Sequence, residues 1–259
     1  MDEKLILKQI NANPMIIADI ENPSEELIRT AIKKNGLAIK HVENPSFELK
    51  KEAIKSNPLC VEFINDLEEE LAILSVKLLW NSLKLIKNQT PAVQEEAVQT
   101  KGWAIQYVEN PTEELCLLAV QKDYDAIKYI KEPSIEVQKA AVNNYWGAIK
   151  FIDNPELEIK REAIKINEEA INFIQNYDID ELAIFIGDNI NIVKYIYDSI
   201  DPDMVVDVLV DKLKNDDITY KYMVDFLELE ILEMDKGKLV YEYGSKRAKQ
   251  MVIDHILGK

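Results

Sequence analysis

The chain has 259 residues, 47% of them apolar and 30% charged, with only seven glycines and 47 acids against 31 bases for a net charge of −16. This composition folds rather than staying disordered. The acidic excess argues against binding a nucleic-acid backbone, where affinity comes from Lys and Arg displacing counterions. No run approaches the ~18 apolar residues of a membrane span. Met1-Asp2-Glu3-Lys4 lacks the basic stretch and apolar core of a leader, so a cytoplasmic location away from the membrane is expected.

A 22-residue repeat keeps its phase from residue 20 to residue 196. Ala31-Ile32, Ala53-Ile54, Ser75-Val76, Ala97-Val98, Ala119-Val120, Ala141-Val142 and Ala163-Ile164 align, and each unit closes on an aliphatic residue from Ile20 and Val42 to Ile174 and Ile196. A fixed short period means stacked layers rather than a globule. Leu5 through Ile20 reads as a degenerate first unit.

Residues 22–43 define the unit. Pro23 ends the preceding helix and Ser24 is a good N-cap. Glu25 and Glu26 lie in the first turn, where the helix dipole favours negative charge. Leu27, Ala31 and Ile32 share one face of a helix of about ten residues, which Asn35-Gly36 is expected to close with a left-handed cap. A second, shorter helix runs from Leu37 to about Val42 with Ala38, Ile39 and Val42 inward. Neither helix is stable alone, so burial between layers must offset the ordering cost. Cys60 falls in the small-residue slot of Ala38, Ala104, Ala126 and Ala148, whereas Cys116 lies two units further on. Both are expected to be free thiols, which fits a reducing compartment, and the sequon at Asn88-Gln89-Thr90 is read as chance.

In the middle units Trp80, Trp103, Tyr124, Tyr145 and Trp146 occupy the turn between the two helices, where other units place Asn, Gly or Pro. Exposed turn aromatics are typical binding hot spots, so these five are candidate partner contacts. A second series, His41, Phe63, Tyr107, Tyr129, Phe151, Phe173 and Tyr195, places one ring per layer and is read as sealing adjacent layers. Lys40, Lys84, Lys128, Lys150 and Lys194 recur on the short helix, interrupted by Glu62 and Gln106, and are read as solvated ion-pairing residues.

After Asp198 the period stretches. Met204, Val205, Val208, Leu209, Tyr222 and Met223 suggest an enlarged last unit, and residues 226–259 suggest a cap that hides the final apolar face. Residues 198–235 hold twelve acids and three bases, and 236–259 six bases and two acids. Asp203, Asp207 and Asp211 recur at helical spacing and are candidate contacts for a basic partner. The expected fold is all-α: an α-solenoid, or superhelix, of about nine 22-residue helix-turn-helix repeats over 1–197, continuous with a helical cap over 198–259.

Lys101-Gly102-Trp103-Ala104-Ile105-Gln106-Tyr107 and Ala119-Val120-Gln121-Lys122 resemble the short helical repeats of the DUF4116 type, which occur in bacterial, phage and large-virus proteins and carry no assigned activity. The Asn-Pro-Ser-x-Glu opening is similar to leucine-rich-variant and HEAT-like repeats, which alternate a longer and a shorter helix in a curved superhelix. The resemblance spans residues 20–196. It implies solenoid architecture and a variety of partners, and it carries over no catalytic residue.

Catalytic chemistry finds little support in the sequence. His41 and His255 are the only histidines, and Gly244-Ser245-Lys246 lacks the upstream glycine of a phosphate-binding loop. No enzyme activity, metal or cofactor is expected. The leading expectation is a non-enzymatic scaffold that holds a protein partner of basic or mixed surface on the aromatic turns. The alternative is an acidic inhibitor, for instance a phage-encoded anti-defence protein, that blocks the nucleic-acid- or anionic-ligand-binding surface of its partner.

Overall fold

The computed structural model describes residues 3–258. Met1 and Asp2, on which the expectation of no leader partly rests, and Lys259, one of the six bases counted in 236–259, lie outside the described residues. Every described regular element is a helix. By packing, the chain divides into residues 1–137 and 138–259.

In residues 1–137, ten-residue α-helices alternate with six-residue 3-10 segments at the period of the sequence. The helices are Glu3–Ala12, Glu25–Lys34, Phe47–Ser56, Glu69–Leu78, Pro91–Thr100 and Glu113–Lys122. The 3-10 segments are Pro14–Asp19, Gly36–His41, Pro58–Phe63, Trp80–Leu85, Gly102–Tyr107 and Tyr124–Tyr129. Each α-helix packs on the next α-helix and each 3-10 segment on the next 3-10 segment, the nearest-neighbour stacking of an α-solenoid. The aligned small residues Ala31, Ala53, Ser75, Ala97 and Ala119 are fully buried, as are Ala38, Cys60, Ser82, Ala104 and Ala126. Where both slots hold serine, Ser82 Oγ donates to Ser75 Oγ and Ser75 Oγ to the Ala72 carbonyl, at 3.1 and 2.8 Å, so neither hydroxyl is stranded.

The shorter element is a 3-10 helix, with three residues to the turn, and buries Gly36, Ala38 and Ile39. Gly36, Ile39 and Val42 eclipse one another, and Val42 N–H bonds the Ile39 carbonyl at 2.9 Å. The expected left-handed cap at Asn35-Gly36 is not formed. Asn35 is extended (φ −153°, ψ 111°), and its side chain accepts from Leu37 N–H at 3.0 Å, which starts the 3-10 segment. Asn13 and Asn57 act in the same way. Gly36 is needed for close approach: a Cβ there would stand 2.1 Å from the Ala53 carbonyl oxygen, and at Gly102 2.4 Å from that of Ala119. Left-handed backbone appears one loop later, at Asn22, Asn44, Asp66, Asn110, Glu132 and Asn154, with φ between 47° and 52°. Asn and Asp tolerate that region best among residues with a Cβ.

Ser24, expected as an N-cap, makes no side-chain cap bond; the hydroxyls at this position cap the helix, tie layers together, or do both. Ser46 and Thr112 accept from Leu49 and Leu115 N–H. Ser24, Thr90 and Ser134 donate to Glu3, Glu69 and Glu113 at the head of the previous helix. Both cysteines are unbridged and buried, and burial pushes the Cys60 thiol up to about 12.

In residues 138–259, the 3-10 segments Trp146–Phe151 and Glu168–Phe173 and the helices Leu157–Ile166 and Ile179–Asp188 continue the pattern. The register breaks where Phe185 and Ile192 fill the two small slots. There the 3-10 segment shrinks to Ile190–Ile192 and turns α-helical over Val193–Ile196. Helix Pro202–Lys214 packs on Ile179–Asp188, and Tyr220–Glu228, Lys236–Tyr243 and Lys246–Leu257 follow. Tyr222 anchors the first of these, its hydroxyl donating to the Ile186 carbonyl at 3.0 Å. These helices, expected as a cap, leave apolar surface open: Tyr241 and Leu257 are each 80% exposed and Ile256 66%.

Candidate aromatic and acidic surfaces

Of the five aromatics expected in the turn, Trp80, Tyr124 and Trp146 open their 3-10 segments and Trp103 is second in its own, so only Tyr145 stands between the two elements. Their positions coincide with a change of capping chemistry. Asn35, Asn57 and Asn167 start their 3-10 segments through the side chain, whereas Leu79, Lys101, Asp123 and Tyr145, at the equivalent positions, make no such bond. Those four units carry the aromatics. In three of the four, the tryptophan at the start, Trp80, Trp103 or Trp146, meets a ring of the following layer.

In residues 1–137, Trp80 stacks on Tyr107 with ring centroids 6.0 Å apart, and Trp103 meets Tyr129 edge-on at 6.3 Å. Trp103 is the most heavily engaged. Its indole N–H donates to Asp125 Oδ1 at 2.6 Å, and the ammonium groups of Lys101 and Lys128 lie 4.6 and 4.5 Å from its ring centre. Lys128 also donates to Asp125 Oδ2 at 2.9 Å. Asp123 accepts from Lys101 Nζ at 2.6 Å and from Gly102 N–H at 2.7 Å. Trp80, Trp103 and Tyr124 are half-buried, so the exposure expected of turn residues is only partial.

Burial alone would raise the Asp125 carboxyl. Hydrogen bonds from Trp103 and Lys128, with the charges of Lys128 and Lys101, outweigh it and hold the group below its ordinary 3.8. A depressed carboxyl contributes stability that is complete above its unfolded value and disappears as pH falls through the folded one. The slope of stability against pH below 3.8 is expected to be shallower in Asp125→Asn, read by acid titration of tryptophan fluorescence and denaturant unfolding.

In residues 138–259, Trp146 is half-buried between Tyr145 and Phe173, with centroids 5.4 and 6.0 Å away. Tyr145 and Phe173 are each 41% exposed. Of the second ring series, Phe63 and Tyr195 are exposed to a similar degree, Tyr107, Tyr129 and Phe151 are half-buried, and His41 is exposed rather than packed. Lys40, Lys84, Lys150 and Lys194 are exposed, with Lys40 over the Phe63 ring and Lys150 over the Phe151 ring.

Asp203, Asp207 and Asp211 are all exposed along one face of Pro202–Lys214, and Asp211 lies 3.9 Å from Lys214. His255 lies 3.7 Å from Glu228, and among the described residues no group of three or more His, Cys, Asp or Glu is placed to hold a metal. No described helix is long and apolar enough to cross a membrane.

Comparisons with protein-family models, with curated proteins and with solved structures found no match.

Two charged features were not singled out from the sequence. Lys50 is buried, donating to the Asp66 carbonyl at 3.1 Å and to both Glu68 oxygens at 3.0 and 3.2 Å. Lys160, five periods later, repeats this with the Asn176 carbonyl at 2.7 Å and Glu181 at 3.1 and 3.0 Å. A partial signal was available: the slot holds Ile28, Ala72, Cys116 and Leu182 in four other units and Gln94 and Gln138 in two, so it reads as half-buried and a lysine there needs a partner.

Proposed function

We propose that the chain is a non-enzymatic scaffold that holds a protein partner through the aromatic turns of its 3-10 segments. One observation carries the reading: Tyr145 and Phe173 keep 41% of their surface exposed while Trp146 braces both rings from beneath. Rings already fixed in place lose little conformational freedom on binding, which is the property of efficient interface anchors. The neighbouring exposed Lys150 suits a partner of mixed charge.

The test is affinity capture from the source cells with wild type and with Tyr145→Ser/Phe173→Ser as baits, followed by mass spectrometry. The partner is expected to be lost by the variant while its helical signal and unfolding midpoint stay close to wild type, since the rings are surface groups. Equal capture by both baits overturns the reading.

A second reading rests on Asp203, Asp207 and Asp211, an exposed acidic face suited to covering a basic surface, as an inhibitor of a nucleic-acid- or anion-binding protein would. It requires binding that weakens steeply with salt and is abolished by changing all three to Asn. Salt-independent binding leaves the aromatic surface as the contact.

A further inference from the structure

We infer that two copies of this chain associate by reciprocal docking, the helix Lys246–Leu257 of each copy seating in an apolar groove of the other. This goes beyond the scaffold reading and does not depend on it. The groove, about 290 Å³ in volume, is lined among others by Ile200, Val206, Leu209, Leu232, Glu233 and Met234. That is space for about ten waters if left open. Exposed Asp201 and Asp203 flank Pro202, which also lines it.

The helix has complementary chemistry. Its inward face is Ala248 and Met251. Outward it presents Ile253 (49% exposed), Ile256 (66%) and Leu257 (80%), with exposed Lys246 on the same face and Arg247 beside it. A soluble surface rarely leaves such side chains adjacent without a use.

Charge selects the occupant. Glu233 lines the groove and Asp201 and Asp203 flank Pro202, within a stretch, 198–235, of twelve acids and three bases. The helix carries Lys246, Arg247 and Lys249 within a stretch, 236–259, of six bases and two acids. An anionic lipid surface would attract the helix but meet the acidic stretch beside it in the chain. The apolar groove of a second copy, with Glu233 in its lining and Asp201 and Asp203 beside Pro202, satisfies both. Exchange about a two-fold axis forms the dock twice and closes the assembly. Repulsion between two chains of charge −16 is largely screened beyond about 8 Å at physiological ionic strength, whereas groups in contact still attract.

The experiment is sedimentation of the full chain near physiological salt, where a species of twice 29.8 kDa is expected. Ile256→Asp/Leu257→Asp damages only the helix, and Asp203→Lys/Glu233→Lys only the groove rim. All four residues are exposed, and circular dichroism verifies folding. Each variant alone is expected to associate at least about tenfold more weakly. An equimolar mixture of the two recovers part of the association, because the intact helix of one meets the intact groove of the other. Four results overturn the proposal: a monomer at every soluble concentration, a dimer indifferent to both variants, a mixture as weak as its components, or a monomer retained on anionic vesicles through Ile256 and Leu257.

Discussion

Leucine at position 119 is expected to lower the free energy of unfolding by about 1–3 kcal/mol, with the upper end favoured by the absence of any slack around the site. Ala119 is fully buried, and its carbonyl accepts from Asp123 N–H at 2.9 Å. That same carbonyl oxygen would lie 2.4 Å from a Cβ on Gly102. Enlarging residue 119 therefore has to separate the layer of Gly102–Tyr107 from the helix Glu113–Lys122, and the cost falls on both. Lys122, exposed at the end of the same helix, is the control: Lys122→Leu is expected to change stability by less than about 0.5 kcal/mol. Urea unfolding of the two variants decides the matter. Equal effects at 119 and 122 would show that the small slot does not set the layer spacing.

The second large effect is expected at Lys160. Its side chain is 11% exposed and that of Glu181 21%, so the pair is neither fully buried nor a free surface pair. Lys160→Met removes every donor to Glu181 and to the Asn176 carbonyl that Lys160 supplies while keeping the aliphatic stem. The expected loss is about 2–3 kcal/mol, near the range for hydrogen bonds to charged groups and short of the 3–5 kcal/mol for breaking a fully buried pair. The double variant Lys160→Met/Glu181→Leu should recover much of it, because the penalty lies mainly in the stranded carboxylate. A cycle over the four proteins measures the coupling. Additive losses would mean that lysine contributes only its stem.

Position 119 also shows what a sequence reveals in such a protein. Period, helix length, small slots and inward aliphatics were all legible, since a repeat aligns equivalent residues and lets each confirm the others. The three-residue spacing of Gly36, Ile39 and Val42 was compatible with 3-10 geometry, but a six-residue stretch fits a short α-helix almost as well. Asn35-Gly36 misled because this pair usually marks a left-handed cap. Here a neighbouring carbonyl dictates glycine and the asparagine side chain serves the segment that follows. Trp80, Trp103, Tyr145 and Trp146 were visible as departures from the pattern. Their partners were harder to foresee, because each tryptophan meets a ring 26 or 27 residues later, at the end of the next 3-10 segment, and not its own repeat equivalent. The groove between Ile200 and Met234 lies beyond the periodic region, where no alignment of the chain with itself can help.

The left-handed residues in the loops have a consequence for how such a chain can change over generations. Asn22, Asn44, Asp66 and Asn110 place the same bend at multiples of 22 residues, and within residues 1–137 each element packs on its immediate successors. Excising 45–66 would join one such bend to the start of another helix and bring two faces of the same design together. Length can therefore change in whole units by recombination between repeats, while an insertion of any other size inside a helix shifts the residues after it in that helix out of their slots. What such an exchange can lose is the individual pairing, such as Lys50 with Glu68.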